Sequence, residues 1–184
     1  MIKVHKLTFN PFQENTYVLY DDSKECIIID CGCSHSSEED RFASFLEEKQ
    51  LKPVRYIQTH CHIDHVMGNK FIFDRYSLEP EYHELEKPVL DAAEAVARQY
   101  MLPFEKGPDG QASIEEFDTI SFGESNLTVL FTPGHSPGSV CFYSKDDEFV
   151  IAGDTLFQMS IGRTDLPGGD HETLLSTIRE KLFT

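Results

Sequence analysis

The segment Thr59-His60-Cys61-His62-Ile63-Asp64-His65 constrains this chain more than any other feature. It contains three of the eight histidines, with an aspartate among them. The pattern before it predicts a short strand over residues 54–58. Side chains of an extended segment alternate in direction, so we expect His60 and His62 to point the same way. Both imidazoles can therefore reach one metal ion.

Asp64 and His65 follow at the point where the chain should leave the strand. We expect a helix to begin near His65 and to continue past Phe71, and the turn into it can direct both side chains at a second ion. Imidazole and carboxylate ligands suit zinc, iron or manganese. A single histidine is more often an ordinary surface or core residue, but the density of ligand types here favours a metal site.

Three residues elsewhere could complete such a site. His135 lies in a tight Gly/Pro turn between two predicted strands, where a rigid loop could present it inward. Asp154 ends an apolar strand and could bridge two ions. Asp30 also ends an apolar strand and could hold a ligand histidine in one tautomer. Taken alone, each has an ordinary alternative as a turn or capping residue.

Strand and helix patterns occur in mixed order, which predicts one α/β layered domain over residues 1–184. A helix is predicted from about Ser37, with an apolar stripe at Phe42, Phe45 and Leu46. A Pro/Gly loop is predicted over residues 103–112. Further helices are predicted over residues 82–100 and from Asp170 or His171 to about Phe183, and further strands over residues 2–9, 16–20, 25–29, 127–132, 139–144 and 149–152.

The formal net charge of −16 opposes binding to nucleic acid or anionic lipid. No apolar run is long enough to span a bilayer, and the N-terminus alternates like a strand rather than a signal peptide. We therefore expect a cytoplasmic protein without a membrane partner. The five cysteines argue against a disulfide framework because their number is odd and no secretory signal is evident.

Three motifs together resemble the metallo-β-lactamase superfamily in order and spacing. They are the segment Thr59-His60-Cys61-His62-Ile63-Asp64-His65, the turn Thr132-Pro133-Gly134-His135-Ser136-Pro137-Gly138, and Gly153-Asp154-Thr155-Leu156. Within that superfamily the chain looks most like glyoxalase II and its compact relatives, which hydrolyse hydroxyacylglutathione thioesters. Asn15-Thr16-Tyr17 and Ile29-Asp30-Cys31-Gly32 also resemble that branch.

The resemblance implies a four-layer αββα sandwich with two metal ions at one edge, zinc first and iron or manganese as alternatives. It implies that His60, His62 and His135 bind the first ion, and that Asp64, His65 and the bridging Asp154 bind the second.

The chain departs from the family pattern at its end. The family supplies a last histidine after a final helix and strand, and no residue here can be assigned that role. His171 begins the helix that precedes the missing turn and is not a substitute. We therefore expect either a truncated chain, with the fold incomplete at the C-terminus, or an incomplete second site. Compared with glyoxalase II, we also expect the chain to lack the glutathione-binding C-terminal domain of that family.

The chemistry expected of this site is hydrolysis of a small-molecule thioester. A water bound to such an ion has its pKa lowered from about 16 toward 7, which supplies hydroxide at neutral pH. Asp64 could accept a proton while it binds the second ion. Arg163 is the cationic residue expected to contact substrate, and the sequence leaves the oligomeric state open.

Two alternatives remain. The segment Gly162-Arg163-Thr164-Asp165 resembles a stretch of the persulfide dioxygenases, which use one iron ion. The missing last histidine motivates the other alternative, a metal-binding domain without catalysis.

Overall fold

A six-stranded sheet forms the first half of the computed structural model, which describes residues 1–183. The strands lie in sequence order; the first three are antiparallel, and the third to the sixth are parallel. They are β1 (Lys3–Phe9), β2 (Glu14–Tyr20), β3 (Glu25–Ile29), β4 (Lys52–Ile57), β5 (Pro80–Tyr82) and β6 (Gln111–Ala112).

A four-stranded antiparallel sheet forms the second half, with the strand order β10-β9-β8-β7. Its strands are β7 (Thr119–Phe122), β8 (Ser125–Phe131), β9 (Val140–Ser144) and β10 (Phe149–Ile151). A separate small hairpin follows, made of β11 (Leu156–Phe157) and β12 (Ser160–Ile161).

The helices are α1 (Ser36–Lys49), α2 (Ile63–Val66), α3 (Asn69–Tyr76), α4 (Lys87–Gln99) and α5 (His171–Thr177). A short 3-10 turn, Glu84–Glu86, precedes α4, and a π-helical turn, Ile178–Leu182, continues α5. The Asp170 carboxylate caps α5 by accepting a hydrogen bond from the Thr173 N–H at 2.7 Å. The Asp170 N–H donates to the Gly134 carbonyl at 2.8 Å, which holds the start of α5 against the turn between β8 and β9.

Strand β3 shows how the layers are held together, because it is buried on both faces. Ile27 and Ile29 pack into the core between the two sheets, whereas Cys26 and Ile28 pack into the core beneath α1 and α3. Full burial of one such side chain contributes about 1.5–3 kcal/mol. The two sheets and the helices therefore form the mixed α/β layered architecture that the sequence predicts. Among residues 1–183, no helix combines the length and apolar character needed to cross a bilayer.

Two predicted helices were wrong in their bounds. The helix expected to run from His65 past Phe71 is divided into α2 and α3. Gly68 lies between them, and a Cβ there would come within 2.4 Å of the Cys31 sulfur, so close packing against that residue accompanies the break. The helix expected over residues 82–100 begins only at Lys87, because the preceding residues form β5 and the 3-10 turn.

A buried carboxylate ties the two sheets together at the end of the sandwich where β2 ends. Asp21 is 4% exposed and accepts hydrogen bonds from the Ser23 and Ser125 hydroxyls and from the backbone N–H groups of Ser23 and Glu124. Burial acts to raise the pKa of Asp21, but these hydrogen bonds outweigh it and lower the pKa to about 2. The charged form of Asp21 therefore stabilises the folded chain.

We expect Asp21→Asn to lower the free energy of unfolding at neutral pH by about 2 kcal/mol, since one pKa unit corresponds to about 1.4 kcal/mol. The pKa of Asp21 is lower in the folded chain than in the unfolded chain. Its contribution is therefore complete above about pH 4 and disappears as the pH falls through about 2. Urea denaturation between pH 7 and pH 2 measures the difference. Asp22→Asn, at an exposed neighbour, should change stability by less than about 0.5 kcal/mol.

Candidate metal centre

The predicted ligands meet at one edge of the sandwich, although they come from distant parts of the chain. His60 and His62 follow the end of β4, and His65 lies in α2. His135 lies in the turn between β8 and β9, and Asp154 follows β10. The first sheet therefore supplies one side of the site and the second sheet supplies the other.

Three histidines form a first ligand group. The Nε2 atom of His135 lies 2.9 Å from Nδ1 of His62 and 3.1 Å from Nε2 of His60. His60 and His135 are buried and His62 is half-buried. Three ring nitrogens thus converge on one point, which is the arrangement that a histidine-rich metal site requires.

The hydrogen-bond partners determine the tautomers of His60 and His135. Nδ1 of His135 donates to the Arg163 carbonyl at 2.7 Å, so its Nε2 carries a lone pair. Thr59 Oγ1 donates to Asp30 and therefore accepts from Nδ1 of His60 at 3.1 Å, which leaves a lone pair on Nε2 of His60 as well. Two lone pairs that face each other at 3.1 Å repel unless a cation lies between the nitrogens. The donor set therefore fits a metal ion.

His60, His65 and Asp154 form a second, adjoining group, and Asp64 lies beside it. Nε2 of His65 lies 3.6 Å from Asp64 Oδ2 and 3.4 Å from Asp154 Oδ1, and the other oxygen of Asp154 lies 3.7 Å from Nε2 of His135. Asp154 therefore reaches both groups. The arrangement has the form of two neighbouring metal positions with one carboxylate between them.

Asp30 holds the second group from behind. Its Oδ2 accepts from Nδ1 of His65 at 2.9 Å, which directs Nε2 of that ring toward Asp64 and Asp154. The same carboxylate accepts the Thr59 N–H and hydroxyl, both at 2.7 Å. Asp30 adopts φ +53°, so this corner is held in a left-handed conformation that few non-glycine residues adopt.

The pKa shifts agree with this charge distribution. Burial, together with the neighbouring imidazoles, lowers the pKa of His62 to about 3 and holds the pKa of His60 well below its usual value. His60 and His62 are therefore both uncharged at neutral pH. Burial also acts to lower the pKa of His65, but the carboxylates of Asp64 and Asp30 outweigh it and raise that pKa well above its usual value. The second group therefore carries an excess of negative charge, which a bound cation can neutralise.

The sequence reasoning missed Glu86, which connects the two loops that carry the histidines. Its side chain is fully buried and accepts the Cys61 N–H at 2.7 Å, the Gly138 N–H at 2.6 Å and the Ser136 hydroxyl at 2.5 Å. Cys61 lies between two of the ligands, and Ser136 follows a third. Nothing in the local pattern around Glu86, which predicted an ordinary helix, pointed to this role.

Glu14 was also missed. It lies close to Asp30 and His65, and burial raises its pKa well above the usual value. One oxygen accepts the Thr16 hydroxyl at 2.8 Å, and the other has no hydrogen-bond partner among residues 1–183. Because Nδ1 of His65 donates to Asp30, it has no lone pair for an ion on this side, so these three residues do not make a third metal position.

A cleft of about 560 Å³ opens directly onto the ligands. His62, Asp64, His135 and Asp154 line its floor. Arg163 lines the same cleft at its rim, where its side chain is 57% exposed and forms a two-point ion pair with Asp165 at 2.7 and 2.8 Å. The expected substrate contact of Arg163 therefore remains a prediction, whereas its backbone carbonyl orients His135.

Comparison with known proteins gives consistent matches. A family model described as "Metallo-beta-lactamase superfamily" matches residues 9–183. The chain is 38% identical over 184 residues to "Probable metallo-hydrolase YqgX" of Bacillus subtilis (strain 168), covering 100% of this chain and 85% of that protein. It is 34% identical over 175 residues to "Hydroxyacylglutathione hydrolase GloC" of Haemophilus influenzae, covering 94% of this chain and 80% of that protein.

A relative with a different named activity is "Persulfide dioxygenase ETHE1, mitochondrial" of Bos taurus, 31% identical over 170 residues, with 92% of this chain and 58% of that protein covered. Among solved structures, "BLEG-1 B3 metallo-beta-lactamase" superposes with a TM-score of 0.86 at 35% identity, covering 99% of this chain and 85% of that one. "TTHA1623 in a di-iron-bound form" also gives 0.86, at 33% identity, covering 98% and 86%.

Proposed function

The chain belongs to the metallo-β-lactamase superfamily, and from that premise we propose that it is a metal-dependent hydrolase that cleaves small-molecule thioesters such as hydroxyacylglutathione. The observation that carries the proposal is the pair of adjoining ligand groups, with Asp154 between them, at the floor of an open cleft. The relative named hydroxyacylglutathione hydrolase supports the thioester as substrate, and the relative solved with two irons supports two metal positions.

The residues of this chain would divide the work as follows. Metal ions held by these ligands lower the pKa of water and polarise a carbonyl group. Asp64, whose side chain is 22% exposed in the cleft, would accept a proton from the attacking water on its carboxylate. The water oxygen bonds to the thioester carbonyl carbon, the carbon–sulfur bond breaks, and the proton passes to the sulfur. The products are a carboxylic acid and a thiol.

We expect zinc-loaded protein to release thiol from a hydroxyacylglutathione with kcat/KM of about 10⁴ M⁻¹ s⁻¹ or more, the lower end of the usual enzyme range. A colorimetric thiol reagent measures the release, and protein stripped with a chelator is the control. Parallel samples loaded with iron or manganese identify the metal that supports turnover. Elemental analysis gives the number of ions per chain, with two expected. Absence of thiol release in all metal-loaded samples would contradict the proposal.

A second candidate is persulfide dioxygenation with one iron ion, which the relative of that name favours. The Gly162-Arg163-Thr164-Asp165 segment lies beside the candidate metal centre, because the backbone carbonyl of Arg163 accepts a hydrogen bond from Nδ1 of His135. An oxygen electrode separates the two candidates. Oxygen consumption by the iron-loaded protein with glutathione persulfide, without thioester cleavage, would replace the hydrolase proposal.

A further inference from the structure

One wall of the cleft is an apolar face of α4 and the turn before it. The side chains that form it are Leu85, Val89, Ala92, Ala93, Val96 and Tyr100. From Val89 onward they recur at intervals of three or four residues, so they lie on one side of the helix. This wall is continuous with the metal ligands, since His62, Asp64 and His135 line the same cleft.

Some apolar side chains of this wall are exposed and do not belong to the buried core. Leu90, Ala93 and Ala97 of α4 already pack with Ile63 and Val66 in a buried cluster. By contrast, Ala92 is exposed, and Leu85 and Tyr100 are each 45% exposed. Exposed apolar side chains grouped at the mouth of a cleft are a feature of ligand sites.

An aromatic pair closes one end of the wall. Phe12, from the turn between β1 and β2, is 44% exposed and meets Tyr100 edge-to-face with ring centroids 5.9 Å apart. This spacing and angle are favourable for an aromatic pair, so the two rings together form a boundary of the wall. The part of the cleft between this aromatic pair and the predicted metal ligands therefore has an apolar surface on one side.

The cleft offers little to a strongly anionic ligand. Arg163 is the one permanently cationic side chain lining it in the described part of the chain, and Asp165 already neutralises it. The chain as a whole carries a formal charge of −16. Affinity along the α4 wall must therefore come from burial of apolar area.

Building on the proposed thioester hydrolysis, we propose that the preferred substrates carry an apolar acyl chain, which lies along the α4 wall while its carbonyl group faces Asp64 and the histidines. A hydroxyacyl group as small as lactoyl would leave the wall uncovered. Ala92 is the position that sets the room available, since it is small, exposed and on the cleft side of α4.

Binding of uncleavable thioethers to the metal-loaded protein tests this directly. Titration calorimetry should show that S-hexylglutathione binds roughly thirtyfold more tightly than S-methylglutathione. This is about a twofold gain in affinity for each additional methylene group of the thioether. Full burial of a methylene group would give about fourfold, and we expect half of that free energy because the cleft is open on one side. Ala92→Phe should remove most of this difference. Ala95→Phe, the same change at an exposed position of α4 outside the cleft, should preserve it.

Turnover gives the second readout, with kcat/KM expected to be roughly fifteenfold higher for hexanoylglutathione than for acetylglutathione. Equal affinity for the two thioethers would overturn the apolar-chain proposal. Thioester cleavage without preference for the longer acyl chain would overturn it too, while leaving the hydrolase proposal standing. Tighter binding of the longer thioether, without cleavage of any thioester, would overturn the hydrolase proposal and support the role of the apolar wall. The protein could instead form a dimer that Ala92→Phe dissociates and bind both thioethers equally. The α4 wall would then be an interface with a second copy of the chain, and the inference would be contradicted.

Discussion

His60→Ala is expected to abolish metal binding and thioester hydrolysis together. His60 supplies one of the three ring nitrogens that converge at the first ligand group, and its Nε2 lies 3.1 Å from Nε2 of His135. Loss of a hydrogen-bond partner behind a ligand costs roughly 10- to 100-fold in metal affinity, so loss of the ligand itself should cost more. Metal content per chain by elemental analysis, and thiol release, measure the two effects.

The matched control for this prediction is His171→Ala, which removes an exposed histidine at the start of α5. This variant should bind as much metal as the unaltered chain. Thermal unfolding adds a readout that does not depend on turnover. Zinc should raise Tm in the control by mass action, and should fail to do so in His60→Ala. Full metal content in His60→Ala would contradict the assignment of the first ligand group.

Glu86→Ala is expected to destabilise the fold by about 3–5 kcal/mol, because it leaves three buried donors without an acceptor. Glu86→Gln keeps the size of the side chain but replaces one accepting oxygen by a donor, so we expect a smaller loss of about 2–3 kcal/mol. Metal affinity should fall by roughly 10- to 100-fold in the glutamine variant, since both histidine-bearing loops lose a fixed position.

Urea denaturation and zinc titration measure these two effects of Glu86 separately. Glu84→Ala, two residues earlier in the same 3-10 turn and exposed, is the control and should change stability by less than about 0.5 kcal/mol. If Glu86→Gln bound zinc as tightly as the unaltered chain, Glu86 would have only a structural role. If it were also as stable, the three hydrogen bonds would contribute nothing measurable.

Much of the fold was predictable because its strands carry strong local patterns. The five residues of β3 were predicted with their observed bounds, since an uninterrupted apolar run between a polar turn and Asp30 is typical of a strand buried on both faces. Strand β7 was not predicted, because its alternation over four residues is too short to separate from a loop. The break at Gly68 is accompanied by close packing against Cys31, a contact that no local pattern contains.

Part of the candidate site was also predictable from the sequence, and part was not. His60, His62, Asp64 and His65 are neighbours in sequence, so their spacing alone indicated that they could act together. The partners that orient them are remote: Glu86 lies 25 residues from Cys61 and 50 from Ser136. Hydrogen bonds between such distant residues appear only when the chain is folded, and a glutamate before an amphipathic helix otherwise looks like an ordinary exposed residue.

Glu86 also has a consequence for engineering this cleft, because it is the residue from which α4 begins. The apolar wall and the two histidine-bearing loops are attached to one buried carboxylate, so they are not independent modules. Pro88 and Val89 lie in the first turn of α4, next to Glu86, so we expect substitutions there to affect the predicted ligands along with the wall. Substitutions farther along the helix, at Ala92 and Val96, act on the wall at a distance from that anchor. A library that seeks new acyl preferences without loss of metal should therefore vary α4 from Ala92 onward and leave its first turn unchanged.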